Sequence, residues 1–194
     1  IDNGEVHVFY GGPTFDSTVD VIVQNLDEPD GLFGFTVETG DLNNDSYDDL
    51  IVGAFSVNAG AINSGDVRIF YGSSAGLGLT ADAILVNTPP EENARFGRWV
   101  SSGDVNGDGY EDVTVGVPFA DTGAVDNGQV QIFFGGPGVI DTVADTILIR
   151  NPPQEDAVFG RRITTNCDVN NDGLADIATS GFLSNSGLLP SGII

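Results

Sequence analysis

The chain contains no lysine and no methionine, and it has a single cysteine and a single histidine. Its six cationic side chains are all arginine, against 29 aspartates and glutamates, which gives a formal net charge of −23. That balance argues against nucleic acid and anionic membrane surfaces as partners, because phosphate contact needs basic side chains. The lone Cys167 cannot form an intrachain disulfide. No apolar run approaches the roughly 20 residues that span a bilayer, so no membrane insertion is expected. No signal-like stretch opens the chain, and no segment has helical periodicity with caps. Without an initiator methionine, the expectation is a processed chain or a fragment. No glycine-rich phosphate loop, Ser-His-Asp set or HExxH occurs either, so no catalytic residues are assigned and the chain reads as a non-enzyme.

What the chain does have is repetition. Four markers recur with a period of about 63 residues. The first is a glycine followed by an alternating strand: Gly4 to Tyr10, Gly65 to Tyr71, and Gly128 to Phe134. One face reads Val6, Val8, Tyr10, then Val67, Ile69, Tyr71, then Val130, Ile132, Phe134, while the other begins polar, as in a half-buried strand. The second is a short β-rich run opened by Asp20, Asp82 or Asp145 and followed by Pro/Glu-rich connectors: Asp27 to Gly31, Thr88 to Asn93, and Pro152 to Asp156. The third is Phe-Gly at Phe33, Phe96 and Phe159, opening another strand. The fourth is the strand that leaves an acidic loop after Asp49, Asp112 or Asp176.

Four short strands per period, joined by glycine-rich turns in a chain with 27 glycines, predict an all-β protein made of β-propeller blades of four antiparallel strands. Within a period the strands are A (after Phe-Gly), B (after the acidic loop), C (glycine-led) and D (aspartate-led). Residues 1–29 supply strands C and D of one blade, 30–90 and 91–153 supply two full blades, and 154–194 supply strands A and B of another plus a tail. In the tail, Gly187 aligns with Gly65, which puts Pro190 mid-strand, so a C strand there is an edge at best. About three blades' worth is too little to close a propeller. The expected contexts are a segment of a longer propeller, a symmetric assembly of copies, or an open array.

The acidic loops are Asp41 to Asp49, Asp104 to Asp112 and Asp168 to Asp176. Oxygen-bearing side chains fall at positions 1, 3, 5 and 9: Asp41, Asn43, Asp45, Asp49; Asp104, Asn106, Asp108, Asp112; Asp168, Asn170, Asp172, Asp176. Alternate positions converge if the backbone curls, and a hard cation such as Ca2+ takes six to eight oxygens in flexible geometry. The expected ligand set adds the carbonyl of position 7, namely Tyr47, Tyr110 and Leu174, giving about three Ca2+ sites. An EF-hand is excluded because position 12 (Val52, Val115, Thr179) lies inside a strand and is not glutamate. Gly109 and Gly173 at position 6 allow a positive φ, which Ser46 does less well. The bland alternative is that Asp, Asn and Gly merely make turns.

Phe-Gly, the Asp-x-Asn-x-Asp-x-Tyr-x-Asp loop and the following Val-Gly-Ala-Phe55 or Val-Gly-Val-Pro118 together resemble FG-GAP repeats, found in integrin α-subunit propellers and many secreted bacterial proteins. The resemblance implies blades carrying calcium in the A–B hairpin loop, usually within a seven-bladed propeller, and a binding or adhesion role rather than chemistry. The chain departs from the family at Phe55, at the degenerate Thr-Ser-Gly-Phe182, and at Cys167, where the other repeats have Gly40 and Gly103.

Several residues have plain readings. His7 falls on the polar face of strand C, aligned with Arg68 and Gln131. Trp99 reads as packing or, alternatively, a sugar-stacking platform, and Arg161-Arg162 as a surface or salt-bridge pair. The sequon at Asn44 lies inside a loop and reads as coincidental. The expected function is a calcium-stabilised extracellular or cell-surface propeller segment that binds a protein or glycan. The alternatives are a structural repeat unit assembling with copies of itself, and part of a propeller-type polysaccharide hydrolase or lyase.

Overall fold

The computed structural model describes residues 3–14, 16–25 and 30–182. Twelve strands form four antiparallel sheets, with no helix among the described residues. β1 (Glu5–Val8) pairs β2 (Val21–Gln24). β3 (Thr36–Gly40), β4 (Asp49–Ala54), β5 (Asp66–Phe70) and β6 (Ala83–Val86) form a four-stranded meander in that order. β7 (Val100–Gly103), β8 (Asp112–Val117), β9 (Gln129–Phe133) and β10 (Thr146–Ile149) form its repeat. β11 (Arg162–Thr164) pairs β12 (Ala178–Ser180). The fold is all-β, and the sheets are propeller blades. The tail from Gly187, with Pro190, lies outside the described residues, as does most of the connector at Asp27.

The four-stranded sheets superpose in register as well as in order. Leu50 faces Phe70 and Gly53 faces Val67 in one, and Val113 faces Phe133 and Gly116 faces Val130 in the other. Side chains from adjoining sheets make two cores. Val6, Val23, Phe33, Val52 and Phe70 fill the seam between the first two sheets, and Ile51, Val67, Leu85, Phe96, Val113 and Phe133 the seam between the second and third. Alternation predicts half-buried C strands, yet all five residues of β9 are buried. A strand covered on both faces has no solvent side, and Gln131 is satisfied there by donating to Asn87 Oδ1 at 2.7 Å.

Neighbouring sheets are also joined through backbone. The segment before each later Phe-Gly donates to the B–C loop of the preceding sheet: Asn93 N to Ile62 O and Phe96 N to Ser64 O at 2.8 Å, then Asp156 N to Val125 O at 3.0 Å and Phe159 N to Asn127 O at 2.9 Å. The glycine of Phe-Gly then enters a notch. A Cβ on Gly53 would overlap the Gly97 carbonyl oxygen, and one on Gly116 the Gly160 carbonyl oxygen. These two glycines have ordinary φ, so close approach rather than a positive φ requires them.

Each aspartate that opens strand D clasps its own hairpin. Asp20, Asp82 and Asp145 accept the N–H of Tyr10, Tyr71 and Phe134 at 2.7, 2.8 and 2.8 Å. Three more of the acidic side chains thus serve the fold directly.

Candidate functional site

The three acidic loops share one hydrogen-bond ladder, set by short Asx side chains that bond the backbone just ahead of them. At position 1, Asp41 Oδ1 accepts from Asp45 N at 3.0 Å and its Oδ2 from Ser46 N at 2.9 Å. Asp104 does the same with Asp108 N and Gly109 N, and Asp168 with Asp172 N and Gly173 N. At position 3, Asn43, Asn106 and Asn170 accept the N–H of position 5 at 3.0, 2.9 and 2.8 Å. At position 5, Asp45, Asp108 and Asp172 accept the N–H of Tyr47, Tyr110 and Leu174 at 2.9, 3.0 and 3.0 Å. The backbone curls left-handed at position 6 each time: φ is 73° at Ser46, 90° at Gly109 and 91° at Gly173. Ser46 therefore holds a conformation that glycine adopts without steric cost.

Position 9 behaves differently. Asp49 is fully buried; its Oδ2 accepts from Leu42 N at 3.0 Å and its Oδ1 from Gly72 N at 2.9 Å, in the turn after β5. Asp112 repeats this with Val105 N at 2.9 Å and Gly135 N at 3.0 Å. Asp176 keeps the first contact, from Val169 N at 2.7 Å. These carboxylates tie the loop to its own sheet. Burial pushes Asp49 and Asp112 up to about 6, against the pull of the two N–H donors on each. The exposed Asp168 shifts the other way: the Gly173 N–H, with those of neighbouring residues, holds it below the usual carboxylate range.

The structure thus brings positions 1, 3 and 5 together at an exposed loop tip, with position 7 next to them in the curl, and turns position 9 inward. Among the described residues, no group of three or more His, Cys, Asp or Glu side chains stands assembled as a metal cage. The donor set nevertheless suits a hard cation, being anionic and all oxygen. A carboxylate that accepts two N–H bonds still has free lone pairs on both oxygens, and a dication beside it would favour its ionised form.

Position 2 is a feature that the sequence pattern does not single out. Leu42 is 1% exposed and packs in the core between the second and third sheets. Its carbonyl accepts Gly136 N at 2.9 Å, and the Asp41 carbonyl accepts Glu111 N at 3.2 Å. The first loop is therefore docked on the next sheet. Val105 is half-buried, with the Asp104 carbonyl accepting Ala175 N at 3.0 Å, and Val169 is 79% exposed. In the sequence an apolar residue inside a polar loop carries no mark of this docking.

The other singled-out residues are not gathered with the loops. His7 is exposed and contacts Glu5 Oε1 at 2.6 Å. Cys167 is a free thiol donating to the Asp176 carbonyl at 3.3 Å. Arg161 and Arg162 make no salt bridge among the described residues; they lie over the rings of Phe182 and Trp99 instead.

Comparison with known proteins agrees with this architecture. The FG-GAP repeat profile matches residues 33–62 and 96–133. Integrin alpha-5 of Xenopus laevis is 32% identical over 155 residues, covering 77% of this chain and 15% of that protein. Integrin alpha-8 of Mus musculus is 32% identical over 178 residues, covering 86% and 16%. Phosphatidylinositol-glycan-specific phospholipase D of Homo sapiens is 32% identical over 146 residues, covering 71% and 17%. The chain thus spans about one-sixth of the length of these relatives, which include both integrin alpha subunits and a phospholipase by name.

Proposed function

The chain is built of FG-GAP repeats of the integrin α-subunit kind, and from that premise we propose that it is a calcium-stabilised propeller segment of an extracellular or cell-surface protein, serving protein or glycan binding. The supporting observation is the loop ladder, repeated three times with the same donors and acceptors at the same place in each repeat. Ca2+ would be held by the side chains of positions 1, 3, 5 and 9 and the carbonyl of position 7, and would offset the negative charge of the loop's carboxylates. The protein's own part is to hold those oxygens in place: the Asx bonds fix positions 1, 3 and 5, and the buried position 9 anchors the loop to its sheet. In this reading residues 30–90 and 91–153 each act as one blade within a larger propeller.

We assign the segment no catalytic role. The phospholipase D relative supports a second reading, a scaffold segment attached to an enzyme, since the chain covers 17% of that protein. Among the described residues no helix is long and apolar enough to cross a membrane.

Thermal unfolding with excess Ca2+ and with chelator tests the proposal. Each site contributes about 2.7 kcal/mol when free Ca2+ is about 100 times its Kd. The midpoint is expected to fall in chelator, and to depend less on Ca2+ in Asp45→Ala, Asp108→Ala and Asp172→Ala. A midpoint indifferent to Ca2+ in the unaltered chain would overturn it.

A further inference from the structure

Four of the six arginines meet at one place. Arg95 and Arg98 flank the Phe-Gly that leads into β7, while Arg161 and Arg162 follow the next Phe-Gly, and Arg162 opens β11. β3, β7 and β11 contact one another in sequence, so the four guanidinium groups converge where first strands of neighbouring sheets adjoin. Arg98 lies over the rings of Phe55, Trp99 and Phe119, with its guanidinium carbon 5.3, 5.1 and 5.8 Å from their centroids. Arg95 also covers Phe55 and Phe119, Arg162 covers Trp99 at 4.8 Å, and Arg161 covers Phe182 at 4.2 Å.

This arrangement is unexpected in a chain with 29 acids. None of these four has a carboxylate within ion-pair distance among the described residues. By contrast, Arg68 pairs with Asp66 at 3.2 Å. Ring stacking engages the faces of the guanidinium planes and leaves their in-plane N–H groups to other partners. Arg98 Nε is buried and has no hydrogen-bond partner. Burial, then the charges of Arg95, Arg161 and Arg162, hold the Arg98 pKa below its ordinary value, as crowding of like charges does where no described carboxylate stands beside them. Beside it opens a cavity of about 110 Å³, lined by Arg98, Pro118, Phe119, Val158, Arg161 and Phe182.

The missing element is an acceptor of in-plane N–H bonds with negative charge. Guanidinium groups recognise planar oxyanions through paired N–H bonds, most strongly where water is excluded. The size of the cavity limits the ligand. An enclosed apolar cavity of about 150 Å³ binds benzene, so this smaller, partly open one suits a carboxylate and its methylenes. Walls of Pro118, Phe119, Val158 and Phe182 suit methylenes better than hydrated sulfate oxygens. We propose that this cavity is a binding site for the carboxylate of an aspartate or glutamate side chain presented by a protein partner, with Arg98 and Arg161 as the carboxylate-binding residues. The inference rests on the binding role proposed above for the existence of a partner, and it requires no metal.

Trp99 is the only tryptophan and lies under Arg98 and Arg162, so its fluorescence reports on this site alone. N-acetyl-glutamate amide titrated in dilute buffer should give a saturable change, and the uncharged N-acetyl-glutamine amide none. Arg98→Gln and Arg161→Gln should each weaken the apparent affinity about tenfold or more. Arg98→Lys, which keeps the charge but loses the fork, should fall between. Arg150→Gln, remote from the cluster, should leave the titration unchanged. Thermal melts establish that each variant is folded, and the half-exposed Arg161 carries the test if Arg98→Gln is not. No saturable change in the unaltered chain, or an equal response to the glutamine amide, overturns the proposal; so does a sulfated disaccharide that binds more tightly, which would make this an acidic-glycan site. The titration is run with Ca2+ and with chelator. Loss of the carboxylate response while Ca2+ still raises the melting midpoint sinks this inference and leaves the metal reading standing. The converse result separates them the other way.

Discussion

The backbone N–H of Ile140 donates to the phenolic oxygen of Tyr71 at 2.7 Å, across 69 residues of sequence and the seam between the second and third sheets. Ile140 is buried and Tyr71 packs against the same core, so the hydroxyl is the acceptor this amide has in place of water. Tyr71→Phe should therefore destabilise the chain by about 1–3 kcal/mol, the cost of an unsatisfied buried donor. Denaturant unfolding measures it. Tyr10→Phe provides the comparison, because Tyr10 at the equivalent position is exposed and its loss should fall within about 0.5 kcal/mol.

The notch glycines make a second prediction. Gly53→Ala and Gly116→Ala each push a methyl into the carbonyl of the next sheet's Phe-Gly, and backbone cannot swing aside as a side-chain tip can. Each should cost about 1–3 kcal/mol or more. Gly136→Ala meets nothing within 4 Å and should be close to neutral. Thermal melts of the three variants rank them, and equal effects would show that the notch does not constrain the seam.

The loop carboxylates divide by role. Asp49→Asn leaves one of the Leu42 and Gly72 N–H groups facing an amide NH2, so it should lose about 1–3 kcal/mol already in chelator, and more in Ca2+ where a ligand is also lost. Asp45→Asn keeps an acceptor for Tyr47 N and sits exposed, so in chelator it should melt like the unaltered chain and differ only when Ca2+ is added. Paired melts in chelator and in Ca2+ separate the two.

Glu91 gives a pH dependence. Its Oε1 accepts Asp121 N at 2.8 Å, and burial, with the charges of Asp121 and Asp126, holds its pKa above the usual carboxylate value. The folded state thus holds this proton more tightly than the unfolded state. The contribution is present at pH below the unfolded carboxylate value and is lost as pH rises through the folded one. Glu91→Gln keeps the acceptor and removes the charge. Its melting midpoint, relative to the unaltered chain, should therefore rise as pH increases through the carboxylate range and be flat below it.

The sequence exposes what each repeat does for itself. Period-2 strands after Gly4, Gly65 and Gly128, the Phe-Gly marks and the left-handed turn at Gly109 and Gly173 are local signals, and the sheets form accordingly. It hides what repeats do for one another. Gln131 looks solvent-facing and is buried, because both faces of β9 are covered. Asp49 reads as one more loop acid, whereas its partner Gly72 is 23 residues away. Arg98 and Arg161 are an entire repeat apart and appear as scattered surface charges. Their convergence depends on the stacking of sheets, which no window of sequence contains.

Leu42 ties the first acidic loop to the sheet that follows it. Its side chain is 1% exposed in the core between the second and third sheets, and its carbonyl accepts Gly136 N at 2.9 Å while the Asp41 carbonyl accepts Glu111 N at 3.2 Å. The loop is thus held by two sheets at once, and whatever loosens the third sheet loosens the loop of the second. Leu42→Ala should accelerate amide exchange at Glu111 and Gly136, whose N–H groups end on this loop.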